Sequence, residues 1–197
     1  MPARGDHEAR RRDVSAAVWR VLAARGFGGL TIRDIAAELD SSTGLVSHYF
    51  PSKRALVRYA HDLADERAAT RVRRIPTGPG LAALRAALLD VLPLDPASVE
   101  MSRTWVSFWD AAIGDAELGT GQTARYVRWR AALTEHIVEA QTRGELPSQV
   151  DPEDIAIGCA AFAHGLVVQA VFDPERLPAA RQTALLDRFL LDLARTT

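Results

Sequence analysis

The chain has 197 residues, enough to bury a sizeable core in one or two domains. Its formal net charge of −1 argues against a protein that coats nucleic acid over its whole surface. The single cysteine, Cys159, excludes an intramolecular disulfide and fits a reducing cytoplasm. Residues 1–58 carry ten Arg or Lys against six Asp or Glu, whereas residues 59–197 carry fourteen against nineteen. Positive charge is therefore concentrated near the amino terminus, as expected of a segment that meets DNA.

The amino terminus is polar and arginine-rich, with Arg4 and the run Arg10 to Arg12. It lacks the apolar core of a signal peptide, so a cytoplasmic location is expected. The arginines form either a solubilising tail or an arm that contacts phosphates or the minor groove, and both interpretations stay open. Helical periodicity then predicts a first helix over about residues 9–25. Its inward-facing residues are Val14, Val18, Val21 and Leu22. Gly26 is predicted to end it in a left-handed conformation.

Two short helices joined by a polar turn are predicted between residues 27 and 58. Thr31 is the expected N-cap of the first helix, with the Asp34 carboxylate returning a hydrogen bond to the Thr31 amide in a capping box. The polar run Asp40-Ser41-Ser42 supplies the turn, because short polar side chains bond their own backbone. The second helix is predicted from about Ser42 to Phe50. This organisation is a helix-turn-helix, whose second helix enters the major groove of DNA.

The second short helix is predicted to expose small and hydrogen-bonding groups, which suit close approach to a groove. Thr43 and Ser47 are expected to contact base edges, and Leu45 a thymine methyl group. Tyr49 and Lys53 are expected to meet phosphate oxygens. The candidate DNA-binding residues are Thr31, Arg33, Thr43, Gly44, Leu45, Ser47, His48, Tyr49 and Lys53. Spacing alone leaves a second interpretation open, in which the two helices belong to a purely structural bundle with a solvated face.

Three linked motifs resemble the DNA-binding domain of TetR-type bacterial transcriptional repressors: residues 31–36 (TIRDIA), residues 43–50 (TGLVSHYF) and Ser52-Lys53. The second motif is especially similar to the choline and glycine-betaine regulator (BetI-like) branch. Asp40 stands where the family usually has Gly, Ser41 where it usually has a small aliphatic residue, and Ser47 where an aromatic residue is common. The resemblance implies a dimeric repressor that binds a palindromic operator on double-stranded DNA and leaves it when a small-molecule effector binds.

A long helix is predicted from Lys53, with Ser52 as its N-cap, to about Ile75. The clearest break in the chain follows at Pro76 to Gly80. Five further helices are predicted at about 80–92, 97–113, 116–143, 152–172 and 179–195. Asp151 is the expected N-cap of the helix at 152–172, with Pro152 in its first turn. The expected fold is thus all-α, with about nine helices. We assign residues 1–52 to the helix-turn-helix domain and residues 53–197 to a helical effector-binding and dimerisation domain.

Residues 155–172 contain no Asp, Glu, Lys or Arg, and this length is that of a membrane span. His164, Gln169, two glycines and the acidic flank argue against a membrane. A helix that is apolar nearly all round is more simply explained as buried. Paired across a two-fold axis with residues 179–195, it would form a four-helix dimer interface. We therefore predict a homodimer through the helices at 152–172 and 179–195.

Aromatic residues recur at helical spacing in the second half of the chain and predict an effector site. An aromatic-lined cavity can hold an apolar or cationic molecule, and cation–π attraction would select a quaternary ammonium. The BetI-like branch has a similar aromatic cluster, so choline or betaine is suggested by analogy. The candidate effector-binding residues are Trp105, Phe108, Trp109, Trp129, Phe162 and His164. Ordinary core packing is the alternative for each of them.

Catalysis and metal binding are not predicted. The polar residues form no nucleophile–base pair at a recognisable spacing, and Cys159 lies in an apolar run where a thiol is inert. No tight set of Cys, His or carboxylate residues indicates a metal site, so no cofactor is expected. The remaining alternative is a DNA-binding regulator that responds to a protein partner instead of a small molecule.

Overall fold

The structure is a computed structural model that describes the backbone of residues 4–195 and the side chains of Arg10 and of residues 12–195. That part of the chain folds into nine α-helices and contains no strand, which confirms the all-α prediction. The helices are α1 (Arg4–Arg25), α2 (Ile32–Glu38), α3 (Thr43–Tyr49), α4 (Lys53–Thr70), α5 (Leu81–Leu89), α6 (Pro96–Gly114), α7 (Ala116–Thr142), α8 (Pro152–Phe172) and α9 (Ala179–Arg195). Arg10 and Arg12 are exposed, whereas the side chains of Arg4 and Arg11 lie outside the described residues. The arginine arm therefore stays a prediction.

The chain divides into two compact units. The first unit consists of Met1–Arg71 and Arg103–Leu118, and the second of Val72–Ser102 and Gly119–Thr197. By this division α4 belongs with the amino-terminal helices, together with most of α6 and the start of α7. The functional boundary that we predict at residue 52 stays a prediction. Because α6 and α7 are each continuous, the backbone passes twice between the units within a helix.

The core of the first unit is formed by the apolar face of α1 and the short helices beside it. All four inward-facing residues predicted on α1 are buried, and so are Ile35, Ala36, Val46 and Phe50. The Ser15 and Tyr59 hydroxyls form a hydrogen bond between α1 and α4. The Arg67 guanidinium lies 4.3 Å from the centroid of the Trp19 ring. These contacts hold α1 against α4, so that the two short helices rest on a rigid base.

The aromatic side chain of Phe108 attaches α6 to this base. Phe108 is fully buried, and its ring centroid lies 4.8 Å from that of Phe27 and 4.6 Å from that of His61. The Phe27 N–H donates a hydrogen bond to the Ser107 hydroxyl at 3.1 Å. A Cβ added at Gly26, where φ is +66°, would lie 2.7 Å from Cβ of Ser107. Glycine is therefore required there both for its conformation and for the close approach of α6.

The predicted end of α4 at Ile75 was wrong, because the helix ends at Thr70. Val72 and Ile75 are 90% and 92% exposed, so continuing the helix would bury no apolar surface. Asp90, only 4% exposed, accepts hydrogen bonds from the Arg74 N–H at 3.3 Å and from Nη1 of Arg74 at 2.8 Å. This buried carboxylate holds the segment outside the helix, and Pro76 disfavours helical backbone before it. Two other helix boundaries also differ from the prediction: α1 begins at Arg4, and α5 ends at Leu89.

The second unit packs α5 against α8 and α9. The Arg85 guanidinium binds the Asp187 carboxylate through two hydrogen bonds, at 2.5 and 3.0 Å, which tie α5 to α9. α8 begins as predicted, with Asp151 as its N-cap and Pro152 in its first turn. Within the described residues α8 is also the helix whose length and composition would allow it to cross a membrane. Its buried residues are Ile155, Ala156, Cys159, Ala160, Ala163, Leu166, Val167 and Ala170.

The start of α5 depends on a carboxylate from elsewhere in the second unit. Gly80, with φ of +66°, occupies the N-cap position and has no side chain to cap the helix. Instead the Leu81 N–H donates a hydrogen bond to the Glu145 carboxylate at 2.8 Å. The pKa of Glu145 is lowered, first by this backbone hydrogen bond and then by Arg143. The charged form of Glu145 therefore stabilises the fold.

We predict that Glu145→Ala lowers the free energy of unfolding by about 1 kcal/mol, as the loss of a helix cap does. Because the folded-state pKa is lowered, the stabilisation is present at neutral pH and is lost as the pH falls through the folded-state pKa. Urea denaturation at pH 7 and at pH 3.5 measures both effects. The matched control is Glu139→Ala, which removes an exposed carboxylate 3.8 Å from Arg143. A loss no larger than that of the control at pH 7 would contradict the capping role.

Candidate nucleic-acid interface

The first short helix of the predicted helix-turn-helix begins at Thr31. The Thr31 hydroxyl accepts a hydrogen bond from the Asp34 N–H at 3.1 Å, which confirms the predicted N-cap. The Asp34 carboxylate bonds the Thr31 hydroxyl and Arg25, and not the Thr31 amide that we predicted. Asp is one methylene shorter than the Glu or Gln typical of a capping box, and Arg25 attracts its charge. Hydrogen bonding from Thr31, followed by the charge of Arg25, lowers the pKa of Asp34.

The turn between the two short helices is a Schellman motif. The Asp40 N–H donates to the Ala37 carbonyl at 3.1 Å and the Ser41 N–H to the Ala36 carbonyl at 2.9 Å. Asp40 has φ of +47°, and it is the one non-glycine residue with positive φ in the described part of the chain. Glycine is the usual residue at this position of the motif, and Asp tolerates it better than most residues. The departure from the family pattern at Asp40 thus leaves the geometry of the turn intact.

The second short helix, α3, is held by its apolar side and exposes its polar side. Its N-cap is Ser42, whose hydroxyl accepts a hydrogen bond from the Leu45 N–H at 3.3 Å. Val46 and Phe50 are buried. The exposed residues are those predicted, namely Thr43, Gly44, Ser47 and His48, with Leu45 half-buried. The contact of this face with DNA stays a prediction.

A phenol ends α3 and an ammonium group begins α4. Tyr49 is half-buried, with its ring edge-on to that of His48 at 5.7 Å, and Lys53 is exposed. Ser52 caps α4 as predicted, accepting a hydrogen bond from the Ala55 N–H at 3.1 Å. Arg33 is exposed on α2. These positions allow a Lys53 ammonium and an Arg33 guanidinium to meet phosphates beside the exposed face of α3.

A group of ion pairs, here called the α4–α7 network, joins α4 to the start of α7. Arg54 binds Asp115 at 3.1 Å and Glu117 at 3.0 Å, and Arg58 binds Glu117 at 2.7 Å. Asp115 also accepts hydrogen bonds from the Leu118 and Glu117 N–H groups, which with Arg54 lower its pKa. The sequence analysis did not identify this network, because its partners are about sixty residues apart. The acidic start of α7 was the one local signal.

The predicted effector-binding residues fall into both units. Trp105, Phe108 and Trp109 belong to the first unit. Trp105 is buried and its ring lies 5.7 Å from that of His61, which also contacts Phe108. Trp109 is half-buried. Trp105 and Phe108 therefore form part of the core between α4 and α6, and their role in effector binding stays a prediction.

In the second unit, two of the predicted residues, Trp129 and His164, contact each other, whereas Phe162 lies apart from them. The ring of His164 on α8 lies 4.9 Å from that of Trp129 and 5.3 Å from that of Tyr126, both on α7. Burial, followed by the charge of Arg125, lowers the pKa of His164 to about 4, so the imidazole is neutral at physiological pH. Phe162 instead stacks on Phe189 of α9 with centroids 4.1 Å apart. Side chains two positions apart on an α-helix lie on different faces, so Phe162 does not join the group around His164.

Cys159 is a buried free cysteine on α8. Burial raises the pKa of the Cys159 thiol to about 12, which keeps it protonated and unreactive at neutral pH. Among the described residues no group of three or more His, Cys, Asp or Glu side chains could hold a metal ion.

Comparison with known proteins identifies the family. Residues 15–60 match bacterial regulatory proteins of the tetR family, and residues 80–195 match the family described as BetI-type transcriptional repressor, C-terminal. The chain is 31% identical over 169 residues to the HTH-type transcriptional regulator BetI of Burkholderia ambifaria, covering 84% of each protein. It is 27% identical over 179 residues to the HTH-type transcriptional regulator PksA of Bacillus subtilis, covering 90% of this chain and 86% of that protein.

Solved structures agree with the fold. A transcriptional regulator from Saccharomonospora viridis, crystallised in complex with choline, superposes with a TM-score of 0.77 at 22% identity over 93% of this chain and 96% of that one. A transcriptional regulator from Rhodococcus has the same TM-score at 23% identity, covering 92% and 94%. The chain therefore belongs to the tetR family of DNA-binding transcriptional regulators, and its carboxyl-terminal part is that of the BetI-type repressors.

Proposed function

We propose that the chain is a dimeric repressor that binds a palindromic operator through α3 and is released by a small-molecule effector. The exposed polar face of α3 carries this proposal. Its helix is anchored by Val46 and Phe50, so that the groups opposite them are presented on a fixed surface. A recognition helix needs this combination of apolar attachment and polar exposure.

Gly44 supports a close approach of DNA to this surface. A Cβ at this position would meet only the Ser42 hydroxyl, at 3.8 Å, which is an ordinary contact. Packing within the chain therefore does not require glycine here, although glycine disfavours a helix by up to about 1 kcal/mol relative to alanine. The close approach of a DNA phosphate or base edge explains why glycine occupies this position.

The residues around α3 divide into two roles. Thr43 and Ser47 point from the exposed face with hydroxyls that donate to or accept from base edges, and they govern which sequence is preferred. Tyr49 and Lys53 follow them at the edge of the interface and bind phosphates of any sequence. Arg54 and Arg58 act differently, because the α4–α7 network already pairs them with carboxylates.

We predict that Lys53→Ala and Tyr49→Phe weaken binding to all duplexes, and that Lys53→Ala reduces the salt dependence of log K by about one counterion. Thr43→Ala and Ser47→Ala should instead change the preferred sequence, at about 1–3 kcal/mol per lost base contact. Fluorescence anisotropy on an operator enriched from genomic fragments, and on mismatched variants, measures both effects. Arg143→Ala, exposed just after α7 and 3.8 Å from Glu139, is the control and should bind normally. Identical behaviour of the two pairs would contradict the division of roles.

A second copy of the chain is the partner we propose for α8 and α9. Opposite its buried face α8 exposes Ile157 at 47% and Phe172 at 77%, and α9 exposes Leu185 at 37%. Between Ile157 and Phe172, a Cβ added at Gly158 or Gly165 would meet nothing within 4 Å. Apolar side chains with small residues between them suit the close approach of another helix. Dimerisation would also supply the two recognition helices that a palindrome requires.

We predict that Gly165→Glu converts the dimer into a monomer without unfolding it. The chain itself leaves room at this position, whereas a partner helix would bury the new carboxylate at high cost. Light scattering after size exclusion measures the mass, and circular dichroism confirms the helix content. Ala131→Glu, on the exposed outer side of α7, is the matched control and should remain dimeric. A dimer of unchanged stability in the Gly165 variant would contradict this interface.

The effector signal is proposed to travel along α7. Its first residues belong to the unit that carries α3, where the α4–α7 network binds them to α4. The same helix continues into the second unit, where Trp129 contacts His164. A ligand that displaces α7 in the second unit therefore acts on the helix whose first residues are bound to α4, which shifts the operator-binding equilibrium. The regulator from Saccharomonospora viridis binds choline, and we carry over from it only that a small molecule is the effector.

A further inference from the structure

The buried amide of Gln122 on α7 is unusual within the second unit. Gln122 is 7% exposed, and neither its Nε2 nor its Oε1 has a hydrogen-bond partner in the described part of the chain. Burying an amide in this way opposes folding. Gln182, at 2% exposed, differs because its Nε2 donates to the carbonyls of Leu177 at 2.8 Å and Pro93 at 3.3 Å. Hydrogen bonds within the chain explain why Gln182 is buried, whereas the burial of Gln122 needs another explanation.

Gln122 lies at one end of an aromatic face of α7. Tyr126 and Trp129 follow it at i+4 and i+7, the spacing that places side chains on one side of a helix. Both rings contact His164, and both residues are half-buried. The fully buried Leu133 continues the same face one turn further. The face therefore combines a donor–acceptor amide with flat aromatic surface.

The charged residues in this part of α7 are arginines. Residues 118–134 contain no Asp or Glu but include Arg125, Arg128 and Arg130, and residues 155–172 of the facing helix α8 carry no charge. Arg125 lies close enough to lower the pKa of His164. The Nε of Arg130 is buried without a hydrogen-bond partner among the described residues. Neither of these two segments supplies a carboxylate that could pair with a cationic ligand.

We infer that Gln122, Tyr126 and Trp129 bind a planar aromatic effector that carries a carboxylate or carboxamide. The polar group of the ligand pairs with the Gln122 amide, and its ring packs on Tyr126 and Trp129. This deepens the proposed function, since it rests on the chain being effector-responsive. It also differs from the quaternary ammonium expected by analogy, because a quaternary ammonium has no hydrogen-bond donor or acceptor to pair with the Gln122 amide.

The first test makes the same substitution, Gln to Met, at two positions and compares the stability of the variants without ligand or DNA. Gln122→Met keeps the shape of the side chain and removes the unpaired amide, so the melting temperature should rise by about 3 °C. Gln182→Met is the matched control, and it should lower the melting temperature because two hydrogen bonds are lost. A fall in the Gln122 variant as large as in the control would overturn the inference, since the amide would then be satisfied within the chain.

The second test uses three probes that share one ring system: 2-naphthoate, 2-naphthamide and 2-naphthylmethyl-trimethylammonium. The first two should raise the melting temperature of the wild-type dimer, quench tryptophan fluorescence and lower operator affinity at least tenfold, whereas the cation should not. Gln122→Met should weaken binding of both active probes at least tenfold. Preference for the cation, or no response to the carboxylate and the amide, would overturn the inference. Operator binding without any probe is measured in parallel, because its absence would instead count against the proposed function.

Discussion

The packing of Phe108 against Phe27 and His61 holds the first unit together. Because its ring is fully buried, α6 cannot shift relative to α1 and α4 without opening the core of the first unit. The α4–α7 network extends this attachment to the start of α7. Two continuous helices, α6 and α7, run between the unit that contains the helix-turn-helix and the unit in which we propose effector binding and dimerisation.

Local sequence was enough to predict most of the fold. Apolar residues at helical spacing identified the buried face of α1, and cap residues identified the starts of α2, α4 and α8, because these signals act within a few positions. The end of α4 was mispredicted for the opposite reason. Asp90, sixteen positions beyond Arg74, holds the segment after Thr70 extended, and no pattern near residue 70 indicates that partner.

The two proposed functional surfaces also differ in how well the sequence could predict them. The exposed face of α3 follows from a single helix with Val46 and Phe50 on its other side, so sequence could specify it. The effector surface depends on contacts between distant helices. Phe108 and Phe162 resemble pocket residues by spacing, yet the first packs in the core of the first unit and the second on Phe189. Gln122 carries no local signal, since only the folded chain reveals that its amide is unpaired.

The most direct test of this account is to determine the symmetry of the DNA site that the protein selects. Enrichment from a random duplex library, followed by footprinting and determination of the stoichiometry, would provide it. The account predicts a palindrome whose half-site centres lie about 34–36 Å, or one helical turn, apart or at a multiple of that distance, with two chains bound. An enriched site without two-fold symmetry, or binding that depends on salt but selects no sequence, would contradict it.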